Sequence, residues 1–102
     1  MTKKRYRRLR EPAQVKIGVH PHTVHRVPGK TMGDRLGDSD PDGLTIRLRK
    51  FLRRSKAREI LLHEIIHLCD FQIPEKWVDR LAPILLGVLR DNPELITYLL
   101  GE

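Results

Sequence analysis

The stretch Ile60-Leu61-Leu62-His63-Glu64-Ile65-Ile66-His67-Leu68 decides how this sequence folds. It contains the pattern H-E-x-x-H within an otherwise apolar run. Residues four apart share one face of a helix, so His63 and His67 can offer two imidazole nitrogens to one metal ion. Glu64 projects from a neighbouring angle, within reach of a water on that ion. A zinc hydrolase needs these elements: two histidine ligands and a carboxylate that takes a proton from the water.

The run around the motif is apolar on every side, which predicts a buried helix. Two histidines and a glutamate inside a buried helix are costly to desolvate unless something pairs with them, and a metal ion would do so. The alternative is a chance match to the motif. The histidines would then be hydrogen-bonded in a core or would lie at the edge of a crevice.

Length and composition are typical of one soluble globular domain: 102 residues, 39% hydrophobic and 32% charged. We assign residues 1–12 to a basic N-terminal arm and residues 13–102 to a single domain. The sequence has no apolar run of about eighteen residues, so we expect no membrane span, and the arm leads into no signal-peptide core. A single cysteine, Cys69, excludes an internal disulfide and favours a cytoplasmic location, with Cys69 itself expected in the core.

The positive charge is concentrated in two places. The net charge is +7, and residues 3–10 and 47–58 hold six and seven basic side chains. Such clusters suit nucleic acid, acidic lipid headgroups or acidic proteins, or they form a solubilising surface. A nucleic-acid contact through the basic arm is therefore an alternative partner, although no nucleic-acid-binding motif accompanies it.

The first half of the chain shows strand patterns separated by turn signals. Alternation of apolar and polar residues predicts strands at 15–19 and 44–48, and a turn with a second strand at 20–27. Residues 28–43 are rich in Gly, Asp and Pro, which predicts turns, and we reject the faint calcium-loop pattern at 38–43. The three histidines at 20, 22 and 25 have no recognised ligand spacing, and we interpret them as accidental.

The second half predicts three helices and hence an α+β fold. Ser55 is the expected N-cap of the motif helix, which runs from Lys56 to about Asp70. Pro74 fits the start of a second helix from Glu75 to about Arg90, in which Pro83 should cause a kink. Asn92-Pro93-Glu94 has the cap, proline and acid that begin a last helix, through Leu100.

Two histidines need a third protein ligand to hold a catalytic zinc. Glu75 and Asp79 form an E-x-x-x-D pattern and share one face of the second helix. If the two helices form a tight antiparallel hairpin, Glu75 faces His67, and Asp79 can accept the other ring N–H of a ligand histidine. Alternatively, Glu75 only stabilises the helix N-terminus, and Asp70 or Asp79 is the third ligand. The alternative for Asp79 itself is a surface ion pair with Arg80 or Lys76.

The two motifs together resemble the gluzincins, zinc peptidases with H-E-x-x-H on one helix and E-x-x-x-D on the next. Because the chain is short, it is most similar to the minigluzincins and related small metallopeptidases of archaea, bacteria and phages. The resemblance covers about residues 44–90. It implies a zincin-like fold, in which a small antiparallel sheet packs on the motif helix, followed by a glutamate-bearing helix and a short C-terminal helix.

The resemblance also implies roles for particular residues. One zinc ion per chain would be held by His63, His67 and Glu75, with Glu64 as general base and Asp79 behind a ligand histidine. The strand Leu44–Leu48 would border the cleft and bind the substrate backbone by strand addition. This implied edge strand consists of Leu44, Thr45, Ile46, Arg47 and Leu48.

We therefore expect a zinc endopeptidase that acts on a peptide or protein substrate, as a monomer or weak dimer. Tyr98, Arg80 and Arg90 are the side chains considered for stabilising the transition state. The hydrophobic stretch 96–100 is long enough to fold back over the cleft, which predicts a latent or self-inhibited enzyme. The alternative is a basic, nucleic-acid-associated protein: a SprT-like protease or a non-catalytic module with a structural metal.

Overall fold

A computed structural model describes residues 10–101 of the chain. Most of the basic arm, residues 1–9, and the last residue lie outside this range, so the arm stays a prediction from sequence. The described residues form an α+β fold with a four-stranded sheet and four helices. Of the helices within this range, none combines the length and apolar character that a membrane crossing requires.

The sheet is mixed rather than antiparallel. Its strands are β1 (Gln14–Ile17), β2 (His20–Val27), β3 (Gly37–Asp40) and β4 (Thr45–Arg49), in the spatial order β1-β2-β4-β3. β1 pairs with β2, and β3 with β4, in antiparallel fashion, whereas β2 and β4 are parallel. The prediction of an antiparallel sheet is wrong at this central pair, because a short helix α1 (Gly29–Met32) and the strand β3 carry the chain back before β4 begins.

The predicted edge strand is an interior strand. Residues 45–49 form β4, which is hydrogen-bonded to β2 on one side and to β3 on the other. Ile46 and Leu48 are fully buried. With both of its edges paired, Leu44–Leu48 has no free backbone groups for a substrate strand, so that part of the prediction is wrong. The edge of the sheet is β3, a segment that the glycine and aspartate signals assigned to turns.

Three helices follow the sheet. They are α2 (Arg54–Cys69), α3 (Glu75–Asp91) and α4 (Pro93–Leu100), within one or two residues of the predicted bounds. α2 begins earlier than expected, after Arg53 rather than Ser55, and no side chain caps it. Pro83 lies inside α3, and Asn92, Pro93 and Glu94 take the predicted positions at the start of α4.

α2 and α3 pack through a small apolar cluster. Ile66 of α2 contacts Val78 and Ala82 of α3, and the half-buried Leu62 and Ile73 pack against these three. α2 is not buried all round, because several of its apolar residues are only half-buried: Ile60, Leu61, Ile65 and Leu68. Cys69, at the end of α2, is exposed rather than in the core, so its placement in the sequence analysis is wrong.

Gly37 sets the distance between α2 and the edge of the sheet. A Cβ at this position would lie 2.5 Å from Cγ2 of Ile60 and 3.2 Å from the carbonyl oxygen of Arg47. Any residue with a Cβ at this position would push α2 away from β3, so only glycine allows the helix to pack this closely. This contact brings the motif face of α2 against the edge strand.

Candidate metal centre

The motif histidines and Glu75 converge at one point. Nε2 of His63 and Nε2 of His67 are 3.1 Å apart, and the two carboxylate oxygens of Glu75 lie 2.5 Å from the His67 nitrogen and 3.1 Å from the His63 nitrogen. Among residues 10–101, these three are the His, Cys, Asp or Glu side chains whose ligand atoms cluster closely enough to hold one metal ion. The sequence prediction of this triad is confirmed as a geometric cluster that could hold a metal.

The connection between α2 and α3 explains how Glu75 reaches His67. The backbone N–H of Asp70 donates to the carbonyl of Ile66 at 3.1 Å, and Oδ1 of Asp70 accepts from the backbone N–H of Gln72 at 2.9 Å. This turn ends α2 at Cys69, and Pro74 directly precedes Glu75, the first residue of α3. Asp70 is occupied in the turn and does not line the cleft, so it is not part of the cluster.

Asp79 lies behind His63. Its Oδ1 is 3.4 Å from Nδ1 of His63, the ring nitrogen that faces away from the cluster. A carboxylate on this side favours the tautomer with a proton on Nδ1, which leaves the Nε2 lone pair free for a metal. Asp79 therefore lies on the opposite side of the His63 ring from Glu75.

The donor set fits a metal ion. With Nδ1 protonated on His63, its Nε2 presents a lone pair toward the second imidazole and toward a carboxylate. Electron-rich atoms converge in this way only around a shared cation or proton. One ligand atom from each of the three residues can be chosen so that all three lie within 4.8 Å of one another, close enough to share a metal ion. Two imidazoles and one carboxylate are a ligand set that zinc accepts.

Glu64 occupies the buried side of the site. It is only 6% exposed, and its Oε2 is 4.0 Å from Nε2 of His63. Burial raises the pKa of this carboxyl, and the negative charge of Glu75 adds to the rise; a hydrogen bond from Ser39 and the charges of His63 and His67 act in the opposite direction. Glu64 is thus a buried carboxyl beside the three candidate ligands.

A cleft of about 620 Å³ opens onto these residues. It runs between the face of α2, the start of α3 and the strand β3, which contributes Gly37, Asp38 and Ser39 to its wall. His63 is buried, whereas the Glu75 side chain is 63% exposed. The cluster is therefore open on the side of α3, as a catalytic zinc site is, and unlike the closed four-ligand sites that stabilise folds.

Three residues of the cleft with contacts of interest were not predicted from the sequence: Arg35, Ser39 and Phe71. Ser39 hydrogen-bonds Glu64 from the edge strand, and the Phe71 ring stacks on His67 with centroids 6.0 Å apart and planes at 15°. Arg35 is the single lysine or arginine among the described residues that line the cleft, and it is 3.4 Å from Asp38. Nothing in their local sequence distinguishes these residues, because only the packing of β3 and the α2–α3 turn brings them to the motif.

The side chains considered for transition-state stabilisation lie elsewhere. Arg80 sits over the Trp77 ring at 5.6 Å, Arg90 lines a different groove, and Tyr98 is 81% exposed. No residue of α4 is among those that line the cleft, and Ile96 faces the other groove. The expected return of residues 96–100 over the site is therefore not found.

The histidines of β2 do not form a second metal site within the described residues. His22 is buried, and its Nδ1 is hydrogen-bonded to the backbone carbonyl of His20 at 3.0 Å. The interpretation of these histidines as accidental stays a prediction.

The chain matches no protein-family model, and no match was found among curated proteins or solved structures. Membership of the gluzincins accordingly stays a prediction that depends on the motif residues alone. The function must be argued from the geometry of the site.

Proposed function

We propose that the chain is a zinc-dependent peptidase. The observation that carries the proposal is the convergence of His63, His67 and Glu75 in an open cleft beside the buried Glu64. The three ligand side chains would hold one zinc ion per chain. Bound there, the zinc would acidify a water and polarise a carbonyl oxygen.

The other groups of the site have defined tasks in this proposal. Glu64 accepts a proton from the attacking water and delivers it to the leaving amine nitrogen, since its carboxylate lies on the buried side of the ligand cluster, 4.0 Å from Nε2 of His63. Ser39 holds the Glu64 carboxylate by a hydrogen bond, and Asp79 holds the His63 ring. Arg35, at the cleft wall, is the described cation available to a substrate carbonyl or carboxylate.

The substrate backbone would lie along β3 rather than along Leu44–Leu48. β3 pairs with β4 on one side, and its other edge has no strand partner among residues 10–101. Unpaired N–H and C=O groups at a sheet edge accept an extended peptide by strand addition. A peptide paired with this edge would lie next to Glu64, because Gly37, Asp38 and Ser39 line the same cleft as Glu64.

A peptide-library digestion read by mass spectrometry tests the proposal. Zinc-loaded wild type should cleave peptides, and the activity should disappear with a chelator and return with zinc. The matched variant is Glu64→Gln, which keeps the size of the side chain and the metal ligands but removes the base. Cleavage that persists in Glu64→Gln would mean a contaminating protease and would contradict the proposal, as would zinc-loaded wild type that cleaves nothing in the library.

A further inference from the structure

A second groove, of about 1,180 Å³, lies on a different face of α2 from the metal cluster. α2 contributes four residues to it at the spacing i, i+3, i+4, i+7: Arg54, Ala57, Arg58 and Leu61. The metal-site face of the same helix has the same spacing, starting from Ile60 and ending at His67. The two faces are about a third of a turn apart, and no residue lines both cavities. The groove is thus separate from the cleft.

The floor of this groove is aliphatic. Five half-buried side chains form it, and they come from the loop before α2 and from all three long helices: Leu52, Leu61, Leu86, Leu89 and Ile96. A half-buried aliphatic floor gains free energy when another apolar group covers it, at about 25 cal/mol per Å². The floor therefore favours a ligand with apolar side chains of its own.

The rim of the groove is strongly basic. Five arginines line it: Arg10, Arg26, Arg54, Arg58 and Arg90. Glu11 is the single acidic side chain among the described lining residues, and it is bonded to Arg26 through oxygens at 2.7 and 2.9 Å from the guanidinium nitrogens. Arg90 also lies 3.9 Å from Asp91, and the lining side chains themselves hold five positive charges and one negative charge. Arginine binds carboxylates through two parallel hydrogen bonds, so acidic side chains suit this rim.

We propose that this groove, which we call the arginine-rimmed groove, binds an acidic, leucine-rich segment of a partner protein. A nucleic acid fits less well, because the described lining residues include no aromatic side chain on which bases could stack. A phosphate backbone would also leave the aliphatic floor uncovered. The first nine residues of the chain hold five basic and no acidic side chains, so their charge has the same sign as the rim. An acidic amphipathic segment satisfies the rim and the floor together.

Fluorescence anisotropy with a labelled peptide of glutamate and leucine at helical spacing tests the proposal on the full chain. The test variant is the double change Arg10→Glu and Arg90→Glu, at two exposed positions of the rim. The matched control is Lys16→Glu with Lys30→Glu, at exposed positions outside the groove, which changes the net charge equally. We expect affinity to fall about tenfold or more in the rim variant, a change of roughly 1.4 kcal/mol. The control should bind as wild type does, and a peptide with lysine in place of glutamate should not bind.

Three outcomes would overturn the proposal: equal loss in the rim and control variants, equal binding of the lysine peptide, or tight binding of a labelled oligonucleotide with none of the acidic peptide. If the rim variant does not fold, amide chemical-shift mapping on wild type replaces it. Shifts confined to the groove residues would support the site. Shifts confined to the cleft of His63 and His67 would exclude it.

Discussion

Oε1 of Glu75 lies 2.5 Å from Nε2 of His67, although only seven residues separate the two in the chain. The short connection works because Asp70 ends α2 with its own side chain in the turn and α3 begins directly after Pro74. Glu75 is consequently the first residue of its helix, where its position is fixed by the turn and by the packing of Val78 on Ile66.

Substitution of Glu64 should reduce peptidase activity without reducing zinc binding. We expect Glu64→Gln to retain zinc and to lose activity by about 10²–10⁴-fold, the usual contribution of a positioned general base. Zinc content and peptidase rate measured on the same preparation check this. A variant that loses its zinc would show that Glu64 is a ligand rather than a base.

Removal of Asp79 should weaken the site without abolishing it. Its carboxylate faces Nδ1 of His63 at 3.4 Å, and such partners of ligand histidines typically contribute 10–100-fold in metal affinity. We expect Asp79→Asn to raise the zinc dissociation constant within this range, as measured by competition with a chromophoric chelator. Asp91→Asn, an exposed change near the other end of α3, is the control. Complete loss of zinc in Asp79→Asn would assign Asp79 as a ligand.

Gly37 should be intolerant of a side chain. We expect Gly37→Ala to lower the free energy of unfolding by about 1–3 kcal/mol, because its Cβ would overlap Cγ2 of Ile60, a methyl group on the branched Cβ whose rotation about χ1 is restricted. Gly87→Ala is the matched control, since a Cβ there meets nothing closer than 3.9 Å in the middle of α3. It should stabilise the protein by about 0.5–1 kcal/mol. Urea unfolding of both variants gives the answer, and similar stability of the two would contradict the close packing of β3 on α2.

The ion pair between Arg47 and Asp38 should make stability depend on pH. Hydrogen bonding to Arg47, aided by the charges of Arg47 and Arg35, lowers the pKa of Asp38 in the folded state. A lowered pKa means that the carboxylate stabilises the fold above its unfolded pKa of about 3.9 and that this contribution disappears as the pH falls through the folded value.

Asp38→Asn should therefore cost about 1 kcal/mol at pH 7, as partly exposed pairs do, and almost nothing once the pH has fallen below the pKa of Asp38 in the folded state. Urea unfolding of wild type and variant across this range measures the difference. A cost that is the same at both ends of the range would mean that the ion pair contributes nothing and that the substitution acts through packing.

The helices and the cluster of His63, His67 and Glu75 can be predicted from the sequence because interactions between residues close in the chain determine them. His63 and His67 lie at helical spacing, and the proline and asparagine signals before α3 and α4 act on the residues beside them. These features depend on residues within one or two helical turns of each other, so their pattern is visible in a single sequence.

The strand β3 was not accessible, because its residues carry no strand pattern. Gly37-Asp38-Ser39-Asp40 reads as a turn, and it is held as an edge strand by distant partners: Gly37 by α2, Asp38 by Arg47 and Ser39 by Glu64. Without β3, Leu44–Leu48 becomes the last strand, and the edge is assigned to the wrong segment. The parallel pairing of β2 with β4 was missed for the same reason.

Zinc content of purified protein, measured by plasma mass spectrometry, tests the central claim most directly. The samples are wild type, His67→Ala, Glu75→Ala and, as a matched acidic control, Asp70→Ala. We predict about one zinc per chain in wild type and in Asp70→Ala, and a large loss in the other two. Zinc retained in Glu75→Ala would remove Glu75 from the ligand set, and wild type that stays free of zinc after reloading would contradict the metal centre and the peptidase built on it.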